Sequence, residues 1–145
     1  MSTKPAPQVP SPKDYIGYTL WCKANKWAKY VNQKLEPYNL VQSDMYTLIA
    51  IGVLLRTNPE VTQSSAAKYT GMHTMAVSKI VRKLEKKELI TRHTSSDPRA
   101  KALSVTPKGW EVLIATTTIL TRAQDEFFPK NAQTILNDQL NVLQS

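Results

Sequence analysis

Ile16, Leu20, Ala24, Trp27, Val31 and Leu35 follow one another in steps of three or four, the spacing of one helix face. The pattern predicts a long helix over residues 14–35. Tyr15, Tyr18, Trp21 and Tyr30 widen its apolar stripe, and Lys23, Lys26, Lys29 and Lys34 stay outward. Glu36-Pro37-Tyr38-Asn39 breaks this helix. A second helix, capped by Ser43 or Asp44, runs through Leu55, and its apolar positions go almost all round, as in a buried helix. Asn58-Pro59 ends it.

From Val61 onward the elements are shorter and the punctuation denser. Thr62 is a helix N-cap, Gln63 to Tyr69 continue as a short helix, and Gly71 supplies a tight turn. The next helix starts near His73 or Thr74. Val77, Ile80, Val81 and Leu84 form its apolar face, opposite Met75, Ser78, Lys79, Arg82, Lys83 and Lys86. Leu89 to His93 and Ala102 to Val105 alternate as half-buried strands do, around a polar loop from Thr94 to Lys101. These elements make a helix-turn-helix followed by a β-hairpin, a winged helix. Thr106-Pro107 then starts another helix, whose inner face is Trp110, Leu113, Ile114, Thr117 and Leu120. Phe127-Phe128-Pro129 breaks it before a last amphipathic helix carrying Ile135, Leu136, Leu140 and Leu143.

The expected fold is mostly α with a small β-hairpin wing. Residues 1–13 form a Pro-rich arm, expected to be disordered because Pro5, Pro7, Pro10 and Pro12 cannot join a helix interior. An N-terminal helical unit spans 14–38, the winged unit 39–106 and the C-terminal helices 107–145. The aromatics of the first helix exceed what a core of this size needs, which points to an interface.

At 145 residues and 41% hydrophobic, the chain suits one domain. No run reaches membrane-spanning length and no secretory signal is visible, so a cytoplasmic location is expected, away from any membrane. A single cysteine excludes an intrachain disulfide and fits a reducing compartment. Charge changes the picture most. Between Thr62 and Trp110 there are ten Lys or Arg and three acids, which is +7 of the chain's net +8. That concentration on one compact motif is the electrostatic footprint of a nucleic-acid surface. His73 and His93, the only histidines, have no ligand cluster around them, and no glycine-rich phosphate loop is present. Neither an enzyme nor a cofactor is expected.

The stretch from Gly71-Met72 through Val77-Ser78-Lys79-Ile80-Val81-Arg82-Lys83-Leu84-Glu85-Lys86-Lys87 to Leu89-Ile90-Thr91-Arg92 resembles the recognition helix and first wing strand of MarR-type transcriptional regulators. Asp97, Arg99-Ala100-Lys101, Leu103, Val105-Thr106 and Gly109 resemble that family's wing motif at its usual spacing. The match is close over the DNA-binding half and elsewhere extends only to helix layout and length. Glu88 departs from the glycine that usually ends the recognition helix, so a cap other than an αL glycine is expected there. The resemblance implies a homodimer joined by the terminal helices, acting on a palindromic double-stranded DNA site, as a repressor.

Groove geometry then assigns candidate roles. Thr74, Met75 and Ser78, near the start of the second motif helix, are placed to reach base edges. Lys79, Arg82 and Lys83 are candidates for phosphates, with a guanine edge as the alternative for Lys79, and so are Gln63 and Ser64 at the start of the first motif helix. Lys101 on the wing joins the DNA-binding set. The resemblance implies that Arg99 enters the minor groove from the wing tip, structured by Asp97, which reads equally well as a turn residue ahead of Pro98. For regulation, Cys22 is a candidate oxidant sensor, since some relatives sense hydroperoxides through a cysteine in this helix; a buried, inert thiol is the commoner case. Trp21, Trp27, Tyr30 and Tyr46 are candidates for a pocket taking a small aromatic effector, with plain core packing as the simpler reading. The alternative function is a winged-helix module that binds DNA without regard to sequence.

Overall fold

The computed structural model describes residues 3–143. Met1 and Ser2 of the arm and the last two residues lie outside it. Residues 3–11 have no regular structure. A 3-10 turn at Pro12–Asp14 follows, in which Asp14 accepts from the Ser11 amide at 2.9 Å. Six helices and one hairpin come next: α1 (Ile16–Leu35), α2 (Gln42–Leu54), α3 (Gln63–Thr70), α4 (Thr74–Lys86), β1 (Ile90–Thr94), β2 (Lys101–Val105), α5 (Pro107–Phe127) and α6 (Lys130–Asn141). This is a winged helix-turn-helix with helices on both flanks. Among the described residues, no helix is long and apolar enough to cross a membrane.

One core serves α2, α3, α4, the base of the hairpin and the C-terminal end of α1. Val31, Leu35, Met45, Leu48, Ile51, Val61, Val77, Val81, Leu84, Ile90 and Leu103 are all buried in it. The predicted α4 face, Val77, Ile80, Val81 and Leu84, is buried in full. Burying each such side chain stabilises by about 1.5–3 kcal/mol as an upper bound, so this face supplies most of the energy that holds α4 against the core. β1 and β2 pair antiparallel, with Ile90 opposite Val105 and Thr94 opposite Lys101. The Leu103 amide also donates to the Val61 carbonyl at 2.7 Å, tying the wing to the segment before α3.

The apolar stripe of α1 is buried at Val31 and Leu35, while Ile16, Leu20 and Trp21 face outward, the exposure expected of an interface face. Three expectations are corrected. α2 begins at Gln42, not at Ser43 or Asp44. Val41 occupies the N-cap position, and Asp44, at the third helical position, accepts from the Val41 amide at 2.9 Å. The strands do not alternate: β1 buries Ile90 alone and β2 buries the adjacent Ala102 and Leu103, because only the base of the hairpin is covered by helices. On α5 the fully buried positions are Gly109, Thr116 and Ala123; Leu113 and Leu120 of the predicted face pack against the core, but Ile114 points outward.

The end of α4 also differs from expectation. Glu88 itself adopts the left-handed conformation, φ 61°, that a glycine normally takes. The Leu89 amide bonds the Leu84 carbonyl at 3.0 Å and the Glu88 amide bonds the Glu85 carbonyl at 2.9 Å, which together form a Schellman cap. A side chain in this region costs about 1 kcal/mol or slightly more. Glu88→Gly is therefore expected to raise stability by about 1 kcal/mol, read as a higher Tm or denaturant midpoint. A lower midpoint would mean that the Glu88 side chain contributes contacts outweighing the backbone strain.

Candidate nucleic-acid interface

The motif helices are fixed by their ends as much as by their buried faces. Thr62 Oγ1 accepts from the Ser65 amide at 3.2 Å, and Ser65 Oγ accepts from the Thr62 amide at 2.8 Å, a reciprocal box that starts α3. Gly71, at φ 75°, ends it and turns the chain into α4. His73 caps α4, its Nδ1 accepting from the Met75 amide at 3.3 Å. The core face of α4 then dictates what remains outside. Thr74, Met75, Lys79, Arg82 and Lys86 are exposed and Ser78 is half-buried, as is Gln63 on α3, while Ser64 is exposed. Met75 is 68% exposed.

Lys83 is the correction on this helix. Instead of extending from the open face, its ammonium pairs with the carboxylate of Asp44 on α2, whose side chain is only 3% exposed. A buried carboxylate needs such a partner, and α4 supplies the nearest cation. Lys83 is therefore withdrawn from the set of open cations.

The wing tip is built from short polar contacts. Ser95 Oγ donates to the Ala100 carbonyl at 2.7 Å and accepts from the Asp97 amide at 3.1 Å. Asp97 Oδ1 accepts from the Arg99 amide at 2.9 Å and lies 3.4 Å from Arg99 Nε. Asp97 thus forms the turn and also restrains the arginine, so its two readings coexist. The Arg99 side chain remains 90% exposed. Lys101, the first residue of β2, is exposed as well.

Three anchors of this surface escaped the sequence reading. Glu60 accepts from the Ser96 amide at 2.9 Å and from Ser96 Oγ at 2.6 Å, clamping the wing loop to the segment before α3. These hydrogen bonds hold its carboxyl below the ordinary value. Arg92 on β1 grips Glu85 on α4 through Nε at 2.9 Å and Nη2 at 3.1 Å. The Arg92 hydrogen bond lowers the Glu85 carboxyl, and Glu85 in turn raises the guanidinium. The third is Asp44. Each pairs with a residue on another element, and a lone acid in a sequence gives no signal of that.

The four aromatic candidates do not assemble into one pocket. Trp27 and Tyr30 pack with Phe127 and Phe128 at centroid separations of 5.2 to 5.4 Å, and Trp27 Nε1 donates to the Tyr46 hydroxyl at 3.2 Å. Tyr30 donates to Glu126. Trp21 stands apart, exposed beside Tyr18. Tyr46 also lines an open cleft of ≈ 450 Å³ with Ile49, Tyr69 and Met72, between α2 and the helix-turn-helix turn. Cys22 is half-buried on α1.

This arrangement has known counterparts. The MarR family profile matches residues 50–101, from the second half of α2 to the start of β2. The chain is 30% identical over 118 residues to the HTH-type transcriptional regulator YdcH of Bacillus subtilis (strain 168), spanning 81% of this chain and 80% of that one. Among solved structures, CouR from Rhodococcus jostii RHA1 bound to p-coumaroyl-CoA superposes with a TM-score of 0.78 at 22% identity, over 94% of each chain. The S. aureus MepR–DNA complex gives a TM-score of 0.73 at 24% identity, covering 87% of this chain and 93% of that one. With its helix-turn-helix, its wing and a relative matched over four-fifths of both chains, this protein belongs to the MarR family of transcriptional regulators.

Proposed function

We propose that the protein is a homodimeric repressor that reads a two-fold-symmetric double-stranded DNA site and is released by a small effector. The observation that carries this reading is the division of α4. One face is buried, while Thr74, Met75, Lys79 and Arg82 lie open beside an ordered wing that presents Arg99. In this reading Thr74, Met75 and Ser78 meet base edges, with Met75 against a thymine methyl. Lys79 and Arg82 meet phosphates, as do Gln63 and Ser64 at the start of α3. Arg99 enters the minor groove and Lys101 supports it electrostatically. MepR, a structural neighbour, has been captured on DNA.

The terminal helices support the dimer. α6 has no buried residue in the single chain, and Ile135, Leu136 and Leu140 are exposed on it, with Leu143 exposed just beyond; α1 exposes Ile16, Leu20 and Trp21. Apolar faces of this extent favour cover by a second copy. For the signal, a small aromatic or acyl ligand is favoured over an oxidant. CouR holds p-coumaroyl-CoA on the same fold, whereas Cys22 has no second cysteine to resolve a disulfide.

Selection from a random duplex library at near-physiological salt tests the reading. It is expected to enrich a palindrome with half-sites about one helical turn apart. Retention without enrichment would instead mean that the basic face grips the backbone alone, making the protein a sequence-independent binder.

A further inference from the structure

We infer that Asp44 is a positioning residue for α4: by holding Lys83 it fixes the rotation of that helix and so sets discrimination between DNA sites. The inference rests on the proposal that α4 reads DNA.

The remaining attachments of α4 to α2 are apolar, through Val77, Ile80, Val81 and Leu84. Apolar contacts resist separation but specify direction poorly. Among the described residues, the Lys83–Asp44 ion pair is the one polar side-chain link between α2 and α4, and it acts beside the Arg92–Glu85 pair that ties α4 to β1. The carboxylate end of the Lys83–Asp44 pair is held in place. Asp44 is buried on the first turn of α2, and its Oδ2 also accepts from the Val41 amide at 2.9 Å. Val41 has no side-chain acceptor, so the start of α2 depends on that carboxylate. Letting Lys83 swing away would leave a buried charge facing an amide alone, which is strongly disfavoured.

Lys83 sits on the same rigid cylinder as Thr74, Met75 and Ser78, within about 14 Å along the axis at 1.5 Å per residue. A rotation of ~20° moves side-chain ends lying ~5 Å from the axis by ~2 Å. A hydrogen bond to a base edge does not survive that displacement. Phosphate contacts made by long, flexible Lys and Arg side chains tolerate it better. Loosening the pair should therefore cost discrimination more than overall grip.

The test uses the full chain, the duplex obtained by selection and a scrambled duplex, titrated across a range of salt concentrations. The variants are Lys83→Met, Asp44→Asn and both together, with Arg82→Ala as a comparison. Lys83→Met and Asp44→Asn are each expected to lower the ratio of specific to non-specific affinity by roughly tenfold, within the range of one mismatched base pair. The slope of log affinity against log salt should stay as in the unaltered protein. The double variant, which leaves no unpaired buried charge, should show the same loss and no more. It keeps the test open if either single variant fails to fold.

A slope flattened by about 0.9 in Lys83→Met alone would make Lys83 a phosphate ligand and overturn the inference. An unchanged specificity ratio in all three variants, with only a lower Tm, would overturn it too, leaving the pair as a structural tie. If the unaltered protein shows no site preference and Arg82→Ala leaves the slope unmoved, the parent reading of α4 fails along with it. A slope that falls in Arg82→Ala, beside an unchanged ratio in the Asp44 and Lys83 variants, isolates the failure to Asp44.

Discussion

Gly109→Ala is expected to destabilise the protein by roughly 3–5 kcal/mol, adding overpacking of a tight site to partial loss of a helix cap. The glycine lies where α5 leaves the hairpin. A Cβ built on it would stand 2.0 Å from the Leu89 carbonyl oxygen and 2.8 Å from a Val105 methyl. The first of these is backbone, so no rotamer change relieves it. The junction is also held from both sides. The Thr106 amide donates to that same Leu89 carbonyl at 3.0 Å, and Thr106 Oγ1 donates to the Glu88 carbonyl at 2.7 Å while accepting from the Gly109 amide at 2.9 Å. To admit a methyl group, α5 must lift from the Leu89 segment ahead of β1, which strains or breaks these bonds together. Total stabilities are commonly about 5–15 kcal/mol, so the variant should melt roughly 10 °C or more below the unaltered protein, or be recovered unfolded. Thermal denaturation followed by circular dichroism checks it. A Tm within a degree or two of the unaltered value would mean that the α5 junction yields easily, against the close packing described above.

Arg99→Ala is expected to do the opposite, removing function and sparing the fold. The side chain is almost wholly exposed, and its contact with Asp97 is long and solvent-screened. The wing loop keeps its other bonds, from Ser95 and from Ser96 to Glu60. Tm and helix content should therefore stay within experimental scatter. On DNA, the proposed dimer would lose two minor-groove arginines. At about 1.5 kcal/mol each, the weakening is roughly 100-fold, concentrated on A·T-rich sites with narrow grooves. Titration of the selected duplex with both proteins decides it. Equal affinities would remove the wing from the proposed interface and leave the helix-turn-helix to act alone.

How far the sequence reached depends on the range of the interaction that fixes each feature. The helix-turn-helix was legible because its determinants are local. Thr62 caps α3 from three residues away, Gly71 takes a positive φ, and Val77, Ile80, Val81 and Leu84 share a face through the helical repeat. The wing motif was legible for the same reason, since Asp97 bonds a backbone amide two residues on. Glu88 marks the limit of such rules. Its identity argued against a left-handed cap, yet the chain adopts one, with Leu84 and Leu89 both buried across it. Burial on either side of the turn outweighs a local preference of about 1 kcal/mol.

By itself, then, the sequence determined the order of elements, the winged-helix class, the basic face of α4 and the turn that presents Arg99. Tertiary structure alone decided which way individual side chains went. Lys83 and Lys79 have the same composition and the same helix, but only Lys83 finds a buried carboxylate, 39 residues away, and turns inward to it. Trp27 joins Phe127 and Phe128 while Trp21 stays in solvent, and α5 buries Thr116 while exposing Ile114. Periodicity defines a stripe on a helix, but the stripe's orientation follows from the shape and charge of what packs against it. Those partners come from distant parts of the chain, and only folding brings them together.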